Sequence, residues 1–181
     1  MVTYEELLQR QLIKKLEKTE KEKYVSFHLV NYQHDLKSSA QFLELKNSKY
    51  AVIAGYYAVL NTTLWYFAKY FGLKISEADV GVHTNCQIVL DHFVKDKNLK
   101  NKIIKLLEEA KAEYASFTAL RKNKEETLPV MLKQSADKRK RYTYYSTDRD
   151  LPGEYNQLQE AKTFLDNTVR PYISIMEKLQ C

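Results

Sequence analysis

Apolar residues recur at helical spacing along most of the chain, and no run of residues alternates cleanly enough to predict a strand. The most apolar stretch covers residues 49–71 and carries two stripes of large side chains. One stripe holds Ile53, Tyr57, Leu60, Leu64, Phe67 and Phe71, and the other holds Val52, Tyr56, Val59, Thr63, Tyr66 and Tyr70. Two stripes imply burial on two sides, which predicts the middle helix of a bundle. Gly72 is placed to end this helix.

The same spacing predicts helices on both sides of this central one. They cover about 30–46, 82–95, a stretch from Asn98 to about Phe117, a stretch from Thr127 into the basic residues beyond it, and 154–179. A charged break at 122–126 separates the middle two, and 72–81 and 146–153 are expected to be loops. Pro171 should kink the last helix or split off its end, and Asp150 is the preferred cap at its start.

The N-terminal residues look like a separate arm. Thr3 and Glu6 have the spacing of a capping box, which predicts a helix from Thr3 to about residue 23. Leu8, Leu12 and Leu16 give this helix one narrow apolar stripe, while Lys and Glu cover the rest. We therefore expect an N-terminal helical arm over 1–29 and a helical bundle domain over 30–181.

The apolar stretch 51–72 is long enough to span a bilayer. Asn61, Thr62, Thr63 and Lys69 interrupt it, and its tyrosines are scattered along its length instead of lying at its ends. A buried helix of a bundle is the better interpretation, and no membrane is expected as a partner. The predicted fold class is all-α, an antiparallel up-and-down bundle with the arm and extra helices.

Composition agrees with a helical protein and leaves the ligand open. The chain has 181 residues, only four glycines and three prolines, and 29% charged residues, which favours helices in one domain. The net charge of +6 suits an anionic partner such as nucleic acid, although a basic protein without such a ligand fits equally well. Two cysteines form no disulfide framework. Without a recognisable signal peptide, the chain is expected in the reducing cytoplasm.

The stretch DKRKRYTYYSTDRD, residues 137–150, interleaves cations and phenols. On a helix, Arg139 would share a face with Tyr142, and Arg141 with Tyr145. This arrangement suits phosphate contact together with base stacking. The alternative is a solvated helix end whose Lys and Arg complement the helix dipole.

Four segments in order carry a resemblance to a known family. They are YAVIAGYYA from Tyr50 to Ala58, GVHT from Gly81 to Thr84, ADKRKRYTY from Ala136 to Tyr144, and AKTFL from Ala161 to Leu165. Their succession over about residues 33–178 resembles the HEPN superfamily (higher eukaryotes and prokaryotes nucleotide-binding domain). It is most similar to the small archaeal and bacterial branch, in which a Tyr-Tyr-Ala helix precedes a turn that bears a His.

The resemblance implies a dimeric bundle of four or five helices with a site in a cleft near the dimer axis. Catalytic members are metal-independent ribonucleases, and many are toxins paired with a minimal nucleotidyltransferase antitoxin. Other members bind nucleotide or RNA without catalysis. Arg139 matches the family Arg, but Tyr144 stands where the catalytic His is expected, which puts cleavage in doubt. His83 matches a His at the start of the preceding helix.

Cleavage of RNA without a metal requires a proton carrier and positive charge near the phosphorane. Arg139 supplies charge and a bidentate grip, whereas Tyr144 is a poor base that donates hydrogen bonds well. This pair therefore suits phosphate binding, and His83 is the first candidate for a proton carrier. Arg141, Tyr145 and Lys138 would complete the ligand-binding set. A structural role for His83, in which it bonds backbone at a helix start, is the alternative.

No motif predicts a metal or another cofactor. His28, His34 and His92 lack metal-ligand spacing, and neither HExxH nor a cysteine pair occurs. The leading hypothesis is a cytoplasmic, homodimeric HEPN-like protein that binds RNA or a nucleotide, with ribonuclease activity left open. The alternatives are a non-catalytic interaction module that partners a minimal nucleotidyltransferase or another protein, and a plain structural bundle.

Overall fold

The computed structural model describes residues 2–76, 81–134 and 152–179, with the side chains of 119–134 and 152–156 outside the description. Most of these residues are helical, which confirms the all-α class. The elements in chain order are α1 (Tyr4–Gln9), β1 (Ile13–Lys15), α2 (Lys18–Glu44), α3 (Ser48–Tyr66), π1 (Phe67–Phe71), β2 (Leu73–Ile75), α4 (Val82–Phe93), α5 (Lys97–Gln134), α6 (Pro152–Phe164), π2 (Leu165–Val169) and α7 (Arg170–Lys178), where π1 and π2 are short π-helical turns.

Helix α3 is the centre of the fold, as its two stripes predict. Both stripes contribute buried residues, including Val52, Val59, Leu64 and Tyr66. The π1 turn extends the helix to Phe71, and Gly72 ends it in the left-handed conformation with φ 62°, as predicted. A short turn connects the end of α2 to the start of α3, so these two helices form an antiparallel hairpin.

Gly55 lets three elements approach at the middle of α3. A Cβ atom placed there would lie 3.0 Å from Phe164 Cε1, 3.1 Å from Val169 Cγ2 and 3.3 Å from Ser39 Oγ. Ser39 belongs to α2, Phe164 to α6 and Val169 to π2. The absence of a side chain at residue 55 therefore allows α2 and the C-terminal helices to pack closely on α3.

The prediction of one helix from Thr3 to residue 23 is wrong. The capping box is present, with Thr3 Oγ1 accepting from the Glu6 N–H and Glu6 Oε2 accepting from the Thr3 N–H. However, α1 ends after two turns, and Gln11 takes a left-handed backbone conformation. Ile13–Lys15 then forms a strand that pairs antiparallel with Leu73–Ile75, which the sequence pattern did not predict.

Burial explains why these N-terminal residues leave the helix. Leu7 and Ile13 each expose only 1% of their surface and belong to the main core. The strand pairing places Ile13 beside Ile75, also buried, and satisfies the backbone groups on that side. Helix α2 begins at Lys18 and crosses residues 29 and 30 without a break. The division into a 1–29 arm and a 30–181 domain stays a prediction.

Helix α5 runs continuously from Lys97 to Gln134, so the predicted break at 122–126 is wrong. A run of charged residues does not by itself break a helix, and periodicity alone does not separate a helix from a loop there. The helix also starts before Asn98, because Asp96 Oδ1 accepts a 2.8 Å hydrogen bond from the Leu99 N–H and caps the first turn.

The C-terminal segment divides where Pro171 predicts. Helix α6 gives way to π2, and α7 starts at Arg170 with Pro171 in its first turn. Proline lacks the N–H that would continue the preceding helix, so the change of hydrogen-bond register falls just before it. Asp150 lies outside the described residues. Among the described helices, none is both long and apolar enough to cross a membrane.

The position of Ile13 in the core gives a direct stability test. Ile13→Ala should lower the free energy of unfolding by about 2–5 kcal/mol, because it removes buried methylenes and leaves a cavity. Thermal denaturation followed by circular dichroism measures the change. Leu45→Ala is the control, since Leu45 is 74% exposed and should change stability by less than about 0.5 kcal/mol. Equal effects of the two substitutions would show that the N-terminal residues do not belong to the core.

Candidate functional site

A buried hydrogen bond joins the central helix to the start of α4. The Tyr56 hydroxyl and His83 Nε2 are 2.7 Å apart, and the two rings lie nearly parallel with centroids 5.2 Å apart. Both residues are buried. Two of the four sequence motifs, the Tyr-Tyr-Ala triplet and the His-bearing turn, are therefore in direct contact.

The local sequence explains why His83 points inward. Gly81 occupies the N-cap of α4, so His83 lies in the first turn. Cys86 and Leu90 follow at helical spacing and are fully buried, which orients this face of α4 towards the core. His83 continues the same face, and Tyr56 on α3 provides its hydrogen-bond partner.

Burial keeps the pair uncharged at neutral pH. Burial, together with the nearby Lys111 ammonium, lowers the pKa of His83 to about 4. Burial also raises the pKa of Tyr56 above its ordinary value, and the neighbouring Tyr57 and Tyr114 act in the same direction. A neutral imidazole with a pKa this low is a weak base, so the contact is suited to positioning the Tyr56 ring.

Two further tyrosines carry this arrangement to the surface. The Tyr114 ring of α5 stacks on Tyr56 with centroids 4.2 Å apart, and Tyr57 meets the Tyr114 ring edge-on at 6.1 Å. Tyr57 is 41% exposed. Burial of the rest of its side chain and a hydrogen bond with Tyr114 raise the pKa of Tyr57. We refer to Tyr56, Tyr57, His83 and Tyr114 as the tyrosine cluster.

A polar chain crosses between α2 and α3 beside the cluster. His28 Nδ1 lies 2.8 Å from Asn61 Oδ1, and Asn61 Nδ2 donates to Asp35 Oδ2 over 2.9 Å. Burial raises the pKa of Asp35, and the Asn61 hydrogen bond opposes that rise only in part. Asn61 lies one helical turn after Tyr57, so the chain and the cluster share one face of α3.

Of the residues predicted for the site, only His83 lies in the described part of the chain. It packs in the tyrosine cluster and bonds a side chain, whereas its alternative interpretation had it bonding backbone. Arg139, Tyr144, Arg141, Tyr145 and Lys138 lie outside the described residues. Their contribution to a site stays a prediction.

Sequence reasoning missed Tyr114, Asp35 and Asn61 as members of a site. Asn61 appeared there only as an interruption of an apolar stretch, yet a polar residue on a buried helix needs a partner. Asp35 lies seven residues after His28 on α2, two turns along the same face. Polar residues at core-facing positions of two adjacent helices are the signal that would have identified this chain.

An acidic groove of about 520 Å³ lies between α5 and the C-terminal helices. Glu109, Glu113 and Glu160 line it, and burial together with the Glu160 charge raises the pKa of Glu113. Across the described residues, no group of three metal-ligating side chains is arranged to hold an ion. Because three carboxylates line it, the groove differs in charge from the tyrosine cluster and from the basic stretch.

No family model, curated protein or solved structure matches this chain. The HEPN resemblance consequently rests on the sequence motifs alone. The tyrosine cluster offers aromatic stacking on Tyr57. Beside it, Asp35 can accept hydrogen bonds and the exposed Lys111 can attract an anion.

The buried His83 predicts a pH dependence of stability. Its pKa is about 4 in the folded protein and near 6.5 when unfolded, so the unfolded chain binds the extra proton between these values. Stability from His83 is fully present above pH about 6.5 and is lost as the pH falls towards about 4. The free energy of unfolding should fall by about 2 kcal/mol. This is less than the free energy that corresponds to the whole pKa shift, because nearby solvent screens the imidazolium.

Urea denaturation at a series of pH values measures this dependence. His83→Gln should flatten the profile between about pH 6.5 and 4, because glutamine can still bond Tyr56 but takes up no proton. His34→Gln is the matched control, since the His34 side chain is 75% exposed. A His83→Gln profile as steep as that of the unmodified protein would contradict the buried, neutral imidazole.

Proposed function

We propose that this protein binds RNA or a nucleotide, as a HEPN-like helical protein, through the tyrosine cluster and the basic stretch at residues 138–141. The observation that supports this most is the Tyr56–His83 hydrogen bond. It joins residues 27 positions apart in two of the segments that carry the resemblance, and one of them, His83, is a predicted site residue. Contact between these two segments supports the proposal of a shared site.

The exposed part of the cluster has the chemistry of a base-stacking surface. Tyr57 presents an accessible ring that Tyr114 holds in place through an edge contact and a hydrogen bond. A ring fixed in this way loses little entropy when a base stacks on it. Lys111 is exposed close to His83 and can attract a phosphate, in keeping with the net charge of +6.

The protonation state of His83 favours binding over cleavage. With its pKa near 4 and its Nε2 engaged by Tyr56, His83 is poorly placed to exchange a proton with a ligand. Its role in this proposal is to hold Tyr56 and, through Tyr56, the stacked Tyr114. Arg139 and Tyr144 act as a phosphate-binding pair, with Arg141, Tyr145 and Lys138 beside them. A metal-independent ribonuclease is the catalytic version of the same proposal, and cleavage of RNA in the presence of chelator would establish it.

The stacking role of Tyr57 is tested with a short, labelled, single-stranded RNA. Tyr57→Ala should weaken binding by about 1–3 kcal/mol, the usual contribution of one stacked base. Tyr50→Ala is the matched control, because Tyr50 is an exposed tyrosine on α3 outside the cluster. Fluorescence polarisation gives the affinities, and circular dichroism shows whether each variant is folded.

The same assay separates specific from diffuse binding. Affinity should fall steeply as salt rises, because phosphate contacts release counterions, and Arg139→Ala should cost about 1.5–3 kcal/mol. If Tyr57→Ala binds RNA as tightly as Tyr50→Ala does, the cluster is not the stacking surface. If no RNA or nucleotide binds at low salt, the proposed function is wrong.

A second candidate is supported by an exposed apolar pair on α2. Phe27 and Val30 are 58% and 60% exposed and lie three residues apart, so they share one face of the helix. Such a pair suits a protein interface, which fits the expected homodimer or a non-catalytic module that binds a nucleotidyltransferase antitoxin or another protein.

Substitution of this pair tests the dimer. If Phe27 and Val30 form its interface, the Phe27→Lys/Val30→Lys double variant should be monomeric, because each Lys would bury a charge against its symmetry mate. Light scattering at micromolar concentration measures the mass. Lys14→Ala/Lys18→Ala, at exposed positions elsewhere, is the control. A monomeric unmodified protein would remove the homodimer from the proposal.

A further inference from the structure

The surface beside Tyr57 contains a carboxylate whose orientation is fixed from behind. Asn61 Oδ1 lies 2.8 Å from His28 Nδ1. An amide oxygen only accepts, so this contact requires the His28 tautomer with a proton on Nδ1, and the Asn61 NH₂ group faces the other way. Asn61 Nδ2 then donates to Asp35 Oδ2 over 2.9 Å. The polar chain therefore holds one oxygen of Asp35, and the other oxygen lies on the side of the exposed His34.

The second oxygen of Asp35 lies beside an exposed side chain. Asp35 Oδ1 is 3.9 Å from Nδ1 of His34, an exposed side chain, and 23% of the Asp35 side chain is itself accessible. Tyr57 lies one turn of α3 from Asn61, and the Asp35 charge contributes to the raised pKa of Tyr57. An accessible ring and an acceptor-only group thus border the same patch.

We propose that this patch selects guanine, with the base stacked on Tyr57 and its Watson–Crick edge turned towards Asp35. The inference rests on the proposed function, because it names the base that the RNA or nucleotide would present. A carboxylate accepts hydrogen bonds and donates none. Guanine offers two adjacent donors, N1–H and the N2 amino group, on this edge. Adenine and cytosine each place a ring acceptor beside their amino group, and uracil places carbonyl acceptors on both sides of its N3–H.

The polar chain predicts the effect of replacing the Asp35 carboxylate with an amide. In Asp35→Asn, the Asn61 NH₂ group still requires an acceptor, so the new side chain turns its oxygen inward. Its own NH₂ group then faces the ligand and meets the donors of guanine. The substitution should therefore abolish the preference for guanine without removing the stacking ring.

Short oligouridylates that carry one guanosine, inosine or adenosine test this selection by fluorescence polarisation. The unmodified protein should bind the guanosine oligomer about tenfold to a hundredfold more tightly than the adenosine oligomer, the range expected for charged hydrogen bonds. Inosine lacks the amino group and should fall between them. Asp35→Asn should bind all three with similar affinity. Asp166→Asn, an exposed substitution in π2 with the same change of charge, should keep the preference.

The outcomes separate the inference from the function on which it rests. Binding of all three oligomers with equal affinity by the unmodified protein would overturn guanine selection and leave RNA binding intact. If Asp35→Asn weakens binding of all three oligomers by the same factor, the preference for guanosine persists. Asp35 then acts only through charge or folding, which also overturns the inference. Failure of every oligomer to bind would overturn both proposals. The comparison of the three oligomers in the unmodified protein needs no variant, so equal affinities would overturn guanine selection even if Asp35→Asn does not fold.

Discussion

Burial of α3 is the constraint on which the rest of the structure depends. A helix surrounded by protein must satisfy its polar side chains internally, because an unpaired polar group away from water costs about 1–3 kcal/mol. Thr63 meets this requirement by donating to the Val59 carbonyl and by contact with the Tyr172 hydroxyl 2.6 Å away. Tyr56 is paired with His83, and Asn61 lies between two residues of α2. Thr63, Tyr56 and Asn61 thereby each specify which neighbouring element packs against α3.

The same requirement generates the candidate site. Where α3 approaches the surface, its polar partners are only partly covered, so Tyr57 and Asp35 combine fixed positions with access to solvent. Stacked and edge-to-face rings restrict the tyrosines, and the Asn61 amide restricts the carboxylate. A ligand that binds such a surface has few side chains to order, which favours recognition.

The sequence predicts the central helix well because two apolar stripes and Gly72 point to the same structure. It predicts the N-terminal residues poorly. The stripe through Leu8, Leu12 and Leu16 suits a helix, but burial of Ile13 and strand pairing with Ile75 override local preference. The inward direction of His83 follows from the apolar face of α4. Its partner on α3 does not, because pairing between distant residues leaves no periodic signal.

NMR spectra of the protein with selectively labelled tyrosine rings provide the most direct test of the proposal that the tyrosine cluster binds RNA. The resonances of Tyr57 and Tyr114, assigned through Tyr→Phe variants, should shift as a single-stranded RNA is added. The signal from Tyr172, which is fully buried in the core, should stay in place. If the RNA binds and the Tyr57 and Tyr114 signals do not move, the ligand occupies another surface and the account is wrong.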